Sequence, residues 1–95
     1  MQFLVMAYDG TDAEAPNRRI SMRQAHLKGV RSMKESENFL EGGAILDDAG
    51  AMIGSAMIVE FSSRDECDAW IASDPYTVGK VWDKVDVKPF RRAPV

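Results

Sequence analysis

The spacing of hydrophobic and polar residues changes several times along the chain, and each change predicts a different element. Residues 2–8 are apolar on both alternating faces and are followed by Asp9-Gly10. A short run of this kind is typical of a central strand that is covered on both sides. The polar residues 11–17 then predict a loop.

The next stretch has the spacing of an amphipathic helix. From Arg18 to Leu40 the apolar residues recur at helical spacing, in a stripe formed by Met22, Val30, Met33 and Leu40 with Leu27 at its edge. Gly42-Gly43 follows the stripe, and glycine accepts the left-handed geometry of a helix C-cap. We therefore expect the first helix to end at these glycines.

The second half of the chain predicts two strands, a second helix and a last strand. Residues 44–61 contain turn-forming residues at 47–50, so they predict a short strand, a turn and a longer strand near 55–61. Ser63 followed by Glu66 matches a capping box that starts a helix running to about Ser73. Residues 81–90 alternate between valine and charged side chains, which indicates a strand with one wetter face.

The resulting order β-α-β-β-α-β predicts an α+β fold, the ferredoxin-like arrangement with a four-stranded antiparallel sheet. Two helices cover only one face of such a sheet, yet the strands at 2–8 and 55–61 are largely apolar on both faces. A second copy packed sheet against sheet would bury the remaining patch, so we expect a two-fold homodimer. The alternative is that the loop and the tail of the same chain cover this face.

Composition narrows the classes of function. The 95 residues suit one domain, 1–95, and the net charge of −3 includes no basic block that would indicate nucleic-acid binding. No apolar run approaches the roughly 20 residues that a membrane helix needs, and the first residues do not have the form of a signal peptide. We expect a cytoplasmic protein without a membrane or nucleic-acid partner. One cysteine and one histidine make a zinc site from the usual ligands improbable, and we expect no metal or other cofactor.

The candidate chemistry lies on the predicted inner faces of the two helices. His26 falls at the centre of the first helix stripe, with Arg19 and Arg23 near the same line. Asp74 follows the inner face of the second helix. A carboxylate beside an imidazole fixes its tautomer and favours its charged form, which suits general acid or base catalysis. The predicted topology does not decide whether His26 and Asp74 meet within one chain, across a dimer, or not at all.

Neighbouring residues supply candidate ligand-binding groups, and each candidate also has a purely structural explanation. Arg23 suits an anionic group of a substrate, and Ser55 and Tyr76 offer hydroxyl donors to a developing oxyanion. Asp74 before Pro75, however, is also a common helix start, with aspartate as the N-cap. A lone histidine on an apolar face is often a satisfied core residue. Cys67 and the tryptophans are expected to be core residues.

Four segments in order resemble the YCII-related (YciI-like) family: "RxxHL" at Arg23–Leu27, "GS" at Gly54-Ser55, "AWIASDPY" at Ala69–Tyr76 and "VDVKPF" at Val85–Phe90. The resemblance runs over nearly the whole chain. It implies a dimeric α+β barrel with pockets on the sheet face near the dimer interface, and it implies that His26 and Asp74 form the active-site pair. The family is similar to muconolactone-isomerase-type barrels and to enzymes that dehydrochlorinate aromatic compounds.

Three functional hypotheses follow. The first is a small cofactor-free enzyme of lyase or isomerase type, in which His26 and Asp74 are catalytic and Arg23, Ser55 and Tyr76 bind a small anionic or aromatic compound. The alternative is a non-catalytic dimeric domain that binds a small molecule in the same pocket. The third hypothesis is a haem-type monooxygenase of the same fold, with the only histidine as axial ligand.

Overall fold

The computed structural model of the protein describes residues 1–95 and contains four strands and three helices. The elements are, in chain order, β1 (Gln2–Asp9), α1 (Ala15–Glu35), β2 (Phe39–Leu46), β3 (Met52–Glu60), α2 (Arg64–Ser73), α3 (Pro75–Val78) and β4 (Trp82–Phe90). The predicted ferredoxin-like order is confirmed, with the short α3 added between α2 and β4. No helix combines the length and the hydrophobicity that crossing a membrane requires.

The strands form one antiparallel sheet in the order β2-β3-β1-β4. The central strand β1 pairs with β3 on one side and with β4 on the other, so that Val5 lies between Met57 and Val87. This register puts Ala7 beside Ser55, and Asp9, at the end of β1, beside Trp82. The end of β1 therefore places a carboxylate close to the polar groups of β3 and β4.

The helices all pack on one face of the sheet and form the core with it. The sheet contributes alternate residues of β1 and β3, among them Phe3, Val5 and Val59, which are at most 1 % exposed. The helices contribute Cys67 of α2 and Tyr76 of α3 to the same cluster. Cys67 is thus a buried apolar residue, as predicted.

The opposite face of the sheet carries the alternate residues of the same strands. These are apolar near the centre of the sheet, and they include Leu4, Met6, Ala56 and Ile58, all only half-buried. The core cluster and the helices lie on the other side of the sheet, and the tail of the chain reaches the edge of this face where the Arg92 N–H donates to Gln2 Oε1.

The predicted end of the first helix is wrong. Helix α1 begins earlier, at Ala15, and ends at Glu35, while Leu40 and Gly42-Gly43 belong to strand β2. The chain leaves the helix through Glu37, which has a left-handed backbone (φ 65°), and Asn38 N–H donates to the Met33 carbonyl. A non-glycine residue thus supplies the left-handed geometry that the sequence pattern assigned to glycine.

The second helix begins as predicted. The Ser63 hydroxyl accepts the N–H of Glu66, and the Glu66 carboxylate accepts the N–H of Ser62. The helix ends at Ser73, and Asp74 with an extended backbone (φ −64°, ψ 138°) separates it from α3. This break turns the chain towards α1, because α3 packs mainly against α1 and α2.

Candidate active site

His26 and Asp74 are in direct contact within one chain. The His26 Nδ1 atom lies 2.9 Å from Asp74 Oδ1 and 3.1 Å from Oδ2. Their side chains are only 9 % and 3 % exposed, respectively, so the contact is shielded from water. His26 and Asp74 therefore meet within one chain, which the predicted topology alone did not decide.

The short helix α3 brings these two residues together. Asp74 is its N-cap and Pro75 occupies the first helical turn, and the Asp74 Oδ1 atom accepts the N–H of Tyr76 at 2.8 Å. The same oxygen thus caps α3 and bonds to His26. The capping explanation and the pairing explanation of "DPY" are both correct, because the cap fixes the carboxylate where the imidazole meets it.

The imidazole is held by aromatic rings as well as by the carboxylate. The Tyr76 ring stacks on His26 with 3.9 Å between centroids and 12° between planes, and Trp82 meets it edge-on at 5.8 Å. An ionised carboxylate only accepts hydrogen bonds, so in the neutral ring Nδ1 carries the proton and donates it to Asp74. The Nε2 atom then keeps a free lone pair.

A pocket of about 180 Å³ opens beside this pair, between α1 and the helix-covered face of the sheet. Its walls include His26 and the three predicted binding residues, Arg23, Ser55 and Tyr76, together with Arg19. Apolar residues of α1 and of strands β2 and β3 complete the lining. The resemblance implied pockets on the sheet face near a dimer interface; this pocket lies on the side of the sheet that the helices cover.

A second buried polar cluster borders the pocket through Arg19 and Ser55. The Arg19 Nη1 atom donates to both carboxylate oxygens of Asp9, at 2.8 and 2.9 Å, and these side chains are 7 % and 6 % exposed. The Arg19 Nη2 atom donates to Ser55 Oγ at 3.2 Å, and Trp82 Nε1 donates to the same oxygen at 3.2 Å. Arg19 also lies over the Tyr76 ring, with Cζ 4.8 Å from its centroid.

Arg23 and Tyr76 differ in how they meet the pocket. Arg23 is exposed, contrary to its predicted place on the buried face, and it forms no ion pair within the chain. It is therefore a free cation at the pocket wall. Burial raises the pKa of the Tyr76 phenol, against the opposing effect of Arg19 and Arg23, so the hydroxyl is protonated at neutral pH.

Sequence reasoning missed Asp9 and gave Trp82 no polar role. A signal for Asp9 was present, since the alternation that buries Phe3, Val5 and Ala7 also places residue 9 on the inner face. The hydrogen bond of Trp82 depends on the pairing of β4 with β1, which no local pattern reveals. No group of three or more His, Cys, Asp or Glu side chains is placed to hold a metal ion.

The sequence of the chain is similar to a family model and to individual proteins over nearly its whole length. A family model described as the YCII-related domain matches residues 1–91. The protein YciI of Escherichia coli O6:H1 is 33 % identical over 98 residues, which cover 97 % of this chain and 98 % of that protein. An uncharacterized protein of Haemophilus influenzae is 28 % identical over 101 residues, with 97 % and 98 % covered.

Solved structures share the fold. The 5-chloro-2-hydroxyhydroquinone dehydrochlorinase of Burkholderia phenoliruptrix, in complex with 2,5-dihydroxybenzoquinone, has a TM-score of 0.84 at 27 % identity and covers 98 % of this chain and 96 % of its own. An antibiotic biosynthesis monooxygenase has a TM-score of 0.54 at 13 % identity, with 98 % of both chains covered, and shows the fold alone. A chain of this size and fold can therefore be an enzyme.

The family match extends over nearly the whole chain and includes both ends of the His26–Asp74 contact. The curated relatives match over nearly their full length. The protein belongs to the YCII-related family.

Proposed function

We propose that the protein is a small cofactor-free enzyme of lyase or isomerase type that moves a proton with His26. The observation that carries this proposal is the buried His26–Asp74 contact at the wall of a pocket. Asp74 is a positioning residue in this scheme, because it acts on the substrate only through the imidazole. Its carboxylate holds the tautomer and stabilises the imidazolium that forms when Nε2 accepts a proton.

The pocket favours a substrate with one ring or a comparable small skeleton. Its volume of about 180 Å³ is close to that of an engineered protein cavity of ~150 Å³ that binds benzene. Arg23 would attract an anionic group, while the hydroxyls of Ser55 and Tyr76 would donate to its oxygens. Small anionic or hydroxylated aromatic compounds are therefore the proposed substrate class.

The dehydrochlorinase relative indicates which compound to test first. In the loss of HCl from 5-chloro-2-hydroxyhydroquinone, two hydroxyl groups each give up a proton. One proton is added to the ring carbon that carries the chlorine and the other leaves as the proton of HCl, while chloride departs with the bonding electron pair and a hydroxybenzoquinone remains. No external oxidant is needed, since the departing chloride takes the electron pair while the ring becomes a quinone. A general base and groups that stabilise an oxyanion are what such a reaction asks of the protein.

The test is chloride release and quinone absorbance with 5-chloro-2-hydroxyhydroquinone and a panel of other halogenated and hydroxylated aromatics. Replacing His26 with alanine should abolish turnover, whereas the exposed Gln24→Ala change on the same helix should leave it intact. Circular dichroism of both variants controls for folding. A His26→Ala protein that retains full activity would refute the proposal.

One observation favours a second candidate, a non-catalytic domain that binds a small molecule in the same pocket. Asp74 Oδ1 already caps α3 through Tyr76 N–H, so the carboxylate has a structural task apart from any proton transfer. This candidate predicts saturable binding of the panel compounds without product. Detection of chloride or quinone above the uncatalysed rate would exclude it.

We also propose that the protein is a homodimer joined through the open face of its sheet. The support is the half-buried apolar surface around Leu4, Met6 and Ile58, which no element of the chain covers. Met6→Arg should shift the mass found by sedimentation from dimer to monomer. Ile20→Arg, at a position that is 73 % exposed on α1, is the matched control. A monomeric wild-type protein would refute the dimer.

A further inference from the structure

The Ser55 hydroxyl has an unusual set of neighbours. It is buried, with 3 % of the residue exposed, and it borders the pocket. Its oxygen receives hydrogen bonds from Arg19 Nη2 and from Trp82 Nε1, both at 3.2 Å. Guanidinium and indole nitrogens are donors only, so neither contact can run in the opposite direction.

This arrangement fixes what the hydroxyl can offer to a ligand. A serine hydroxyl has one proton to donate and two lone pairs to accept with. Both lone pairs are used by Arg19 and Trp82, and no acceptor of the chain takes the proton. The remaining capacity of Ser55 is therefore a single donated hydrogen bond, and the pocket is where a partner would lie.

The Asp9–Arg19 pair maintains this state of Ser55. Asp9 binds Nη1 of Arg19 through both carboxylate oxygens, which orients the guanidinium so that Nη2 reaches Ser55. A buried ion pair carries a large desolvation cost and adds little net stability compared with apolar side chains of the same volume. Its presence here accords with a role in orienting the hydroxyl.

We propose that Asp9, Arg19 and Trp82 are positioning residues that make Ser55 an obligate hydrogen-bond donor, and that the substrate must place an acceptor oxygen, such as a phenolate, carboxylate or carbonyl oxygen, against it. This inference rests on the proposed function of the same pocket and restricts its substrate class. Groups that only donate hydrogen bonds would find no acceptor at Ser55. The cationic Arg19 behind the hydroxyl strengthens the preference for a negatively charged oxygen.

The experiment measures the affinity of 2,5-dihydroxybenzoquinone, which is rich in acceptor oxygens, by calorimetry in two double-mutant cycles. Ser55→Ala should weaken binding by about ten-fold or more, since it removes a hydrogen bond to a charged or polarised oxygen. Asp9→Asn and Trp82→Phe should each weaken binding several-fold when Ser55 is present. In the Ser55→Ala background the same two changes should alter affinity less than two-fold, because they act through the hydroxyl that is now absent.

Two matched controls separate this effect from general damage. Asp12→Asn removes a carboxylate that pairs with Arg18 at the surface, and Trp70→Phe removes an indole that stacks on Phe61. Neither should change the affinity for the probe. The indole N–H resonance of Trp82 provides a readout without ligand: it should move upfield in Ser55→Ala, while that of Trp70 stays in place.

Each outcome bears on the inference. Coupling in both cycles supports it, and additive effects of Asp9→Asn or Trp82→Phe in the two backgrounds would overturn it while leaving the role of His26 intact. Failure of the wild-type protein to bind the probe at millimolar concentration would overturn the acceptor requirement. Conversely, coupled binding together with a fully active His26→Ala protein would refute the proposed proton transfer but not the role of Ser55.

Discussion

Replacing Asp74 separates the two tasks that this carboxylate performs. Its Oδ1 atom accepts the Tyr76 N–H and also lies 2.9 Å from His26 Nδ1, while Oδ2 lies 3.1 Å from the same nitrogen. In Asp74→Asn the amide oxygen should remain at the Oδ1 position, because the Tyr76 N–H needs an acceptor there. The amide nitrogen then takes the Oδ2 position, and its protons face His26 Nδ1.

The two variants at this position should differ in stability. Asp74→Ala removes a helix cap, which costs about 1 kcal/mol, and leaves a buried imidazole N–H unpaired, which costs about 1–3 kcal/mol. The sum of about 2–4 kcal/mol corresponds to a fall in Tm of roughly 10 °C or more for a chain of this size. Asn is as good an N-cap as Asp, so Asp74→Asn should lose less than half of this.

The same substitution should change the imidazole. The amide oxygen at the Oδ1 position can still accept the His26 Nδ1–H, but the amide protons at the Oδ2 position oppose it, so a larger share of the neutral rings in Asp74→Asn should carry the proton on Nε2. Nitrogen-15 NMR reads this directly, because the chain has a single histidine. Rings protonated on Nε2 cannot act as the general base, and a neutral amide no longer stabilises the imidazolium, so turnover should fall by up to about 10²- to 10⁴-fold.

Thermal unfolding and nitrogen-15 spectra of the wild type and both variants, at one protomer concentration, decide the matter. The spectra are recorded at a pH high enough that the nitrogen-15 shifts of the His26 ring no longer change with pH, so that only the neutral imidazole is observed. An Asp74→Asn protein that keeps the Nδ1–H tautomer and full turnover would show that Asp74 acts only as the cap of α3. Equal destabilisation by asparagine and alanine would instead show that the cap is unimportant.

Three further predictions test other parts of the structure. Burial raises the pKa of the Cys67 thiol, so the contribution of the neutral thiol to stability is complete below the ordinary thiol pKa and is lost as the pH rises through the raised pKa. Because Cys67 is buried, a thiol reagent at pH 8 should label it only after the protein is unfolded in urea. The hydrogen bond from Arg18 lowers the pKa of Asp12 to about 2, so the stabilising contribution of this pair is present above pH 3.8 and is lost as the pH falls through about 2. Carboxyl NMR should show a titration midpoint at about pH 2 for Asp12 in the wild type and a higher midpoint in Arg18→Gln. A Cβ at Gly29, inside α1, would meet no atom within 4 Å, so Gly29→Ala should stabilise the protein by about 0.5–1 kcal/mol. A Cβ at Gly79 would clash with Met22 Cγ, so Gly79→Ala should destabilise the protein by about 1–3 kcal/mol; chemical denaturation measures both changes.

Most of the fold could be predicted because its signals are local. The alternation in β1 and the capping box at Ser63 depend on neighbours within a few residues, and both match the structure. The end of α1 could not be located in this way. The apolar stripe continues through Leu40 by coincidence, since Phe39 and Leu40 already belong to β2. The helix is ended by the left-handed backbone of Glu37, and glutamate is not a residue type from which that conformation is predicted.

The candidate site was only partly predictable because its contacts join distant elements. His26 was identified from its position in the stripe and Asp74 from the break before Pro75, but 48 residues separate them in sequence. Their contact depends on α3, a helix of four residues that is too short to show a hydrophobic periodicity. Arg23 was placed on the buried face by the same periodicity, yet it is exposed, since it lies at the margin of the stripe where a long side chain reaches water.

The distribution of buried polar groups supports a single functional region. Four polar or charged residues are buried as whole residues, namely Arg19, His26, Ser55 and Asp74. Three of them line the pocket and the fourth contacts His26, and the buried side chain of Asp9 pairs with Arg19. Burying such groups costs stability that apolar side chains would supply without needing partners. Their concentration at one place is what the proposed function predicts, with His26 as a proton acceptor and Ser55 as a fixed donor at the same pocket.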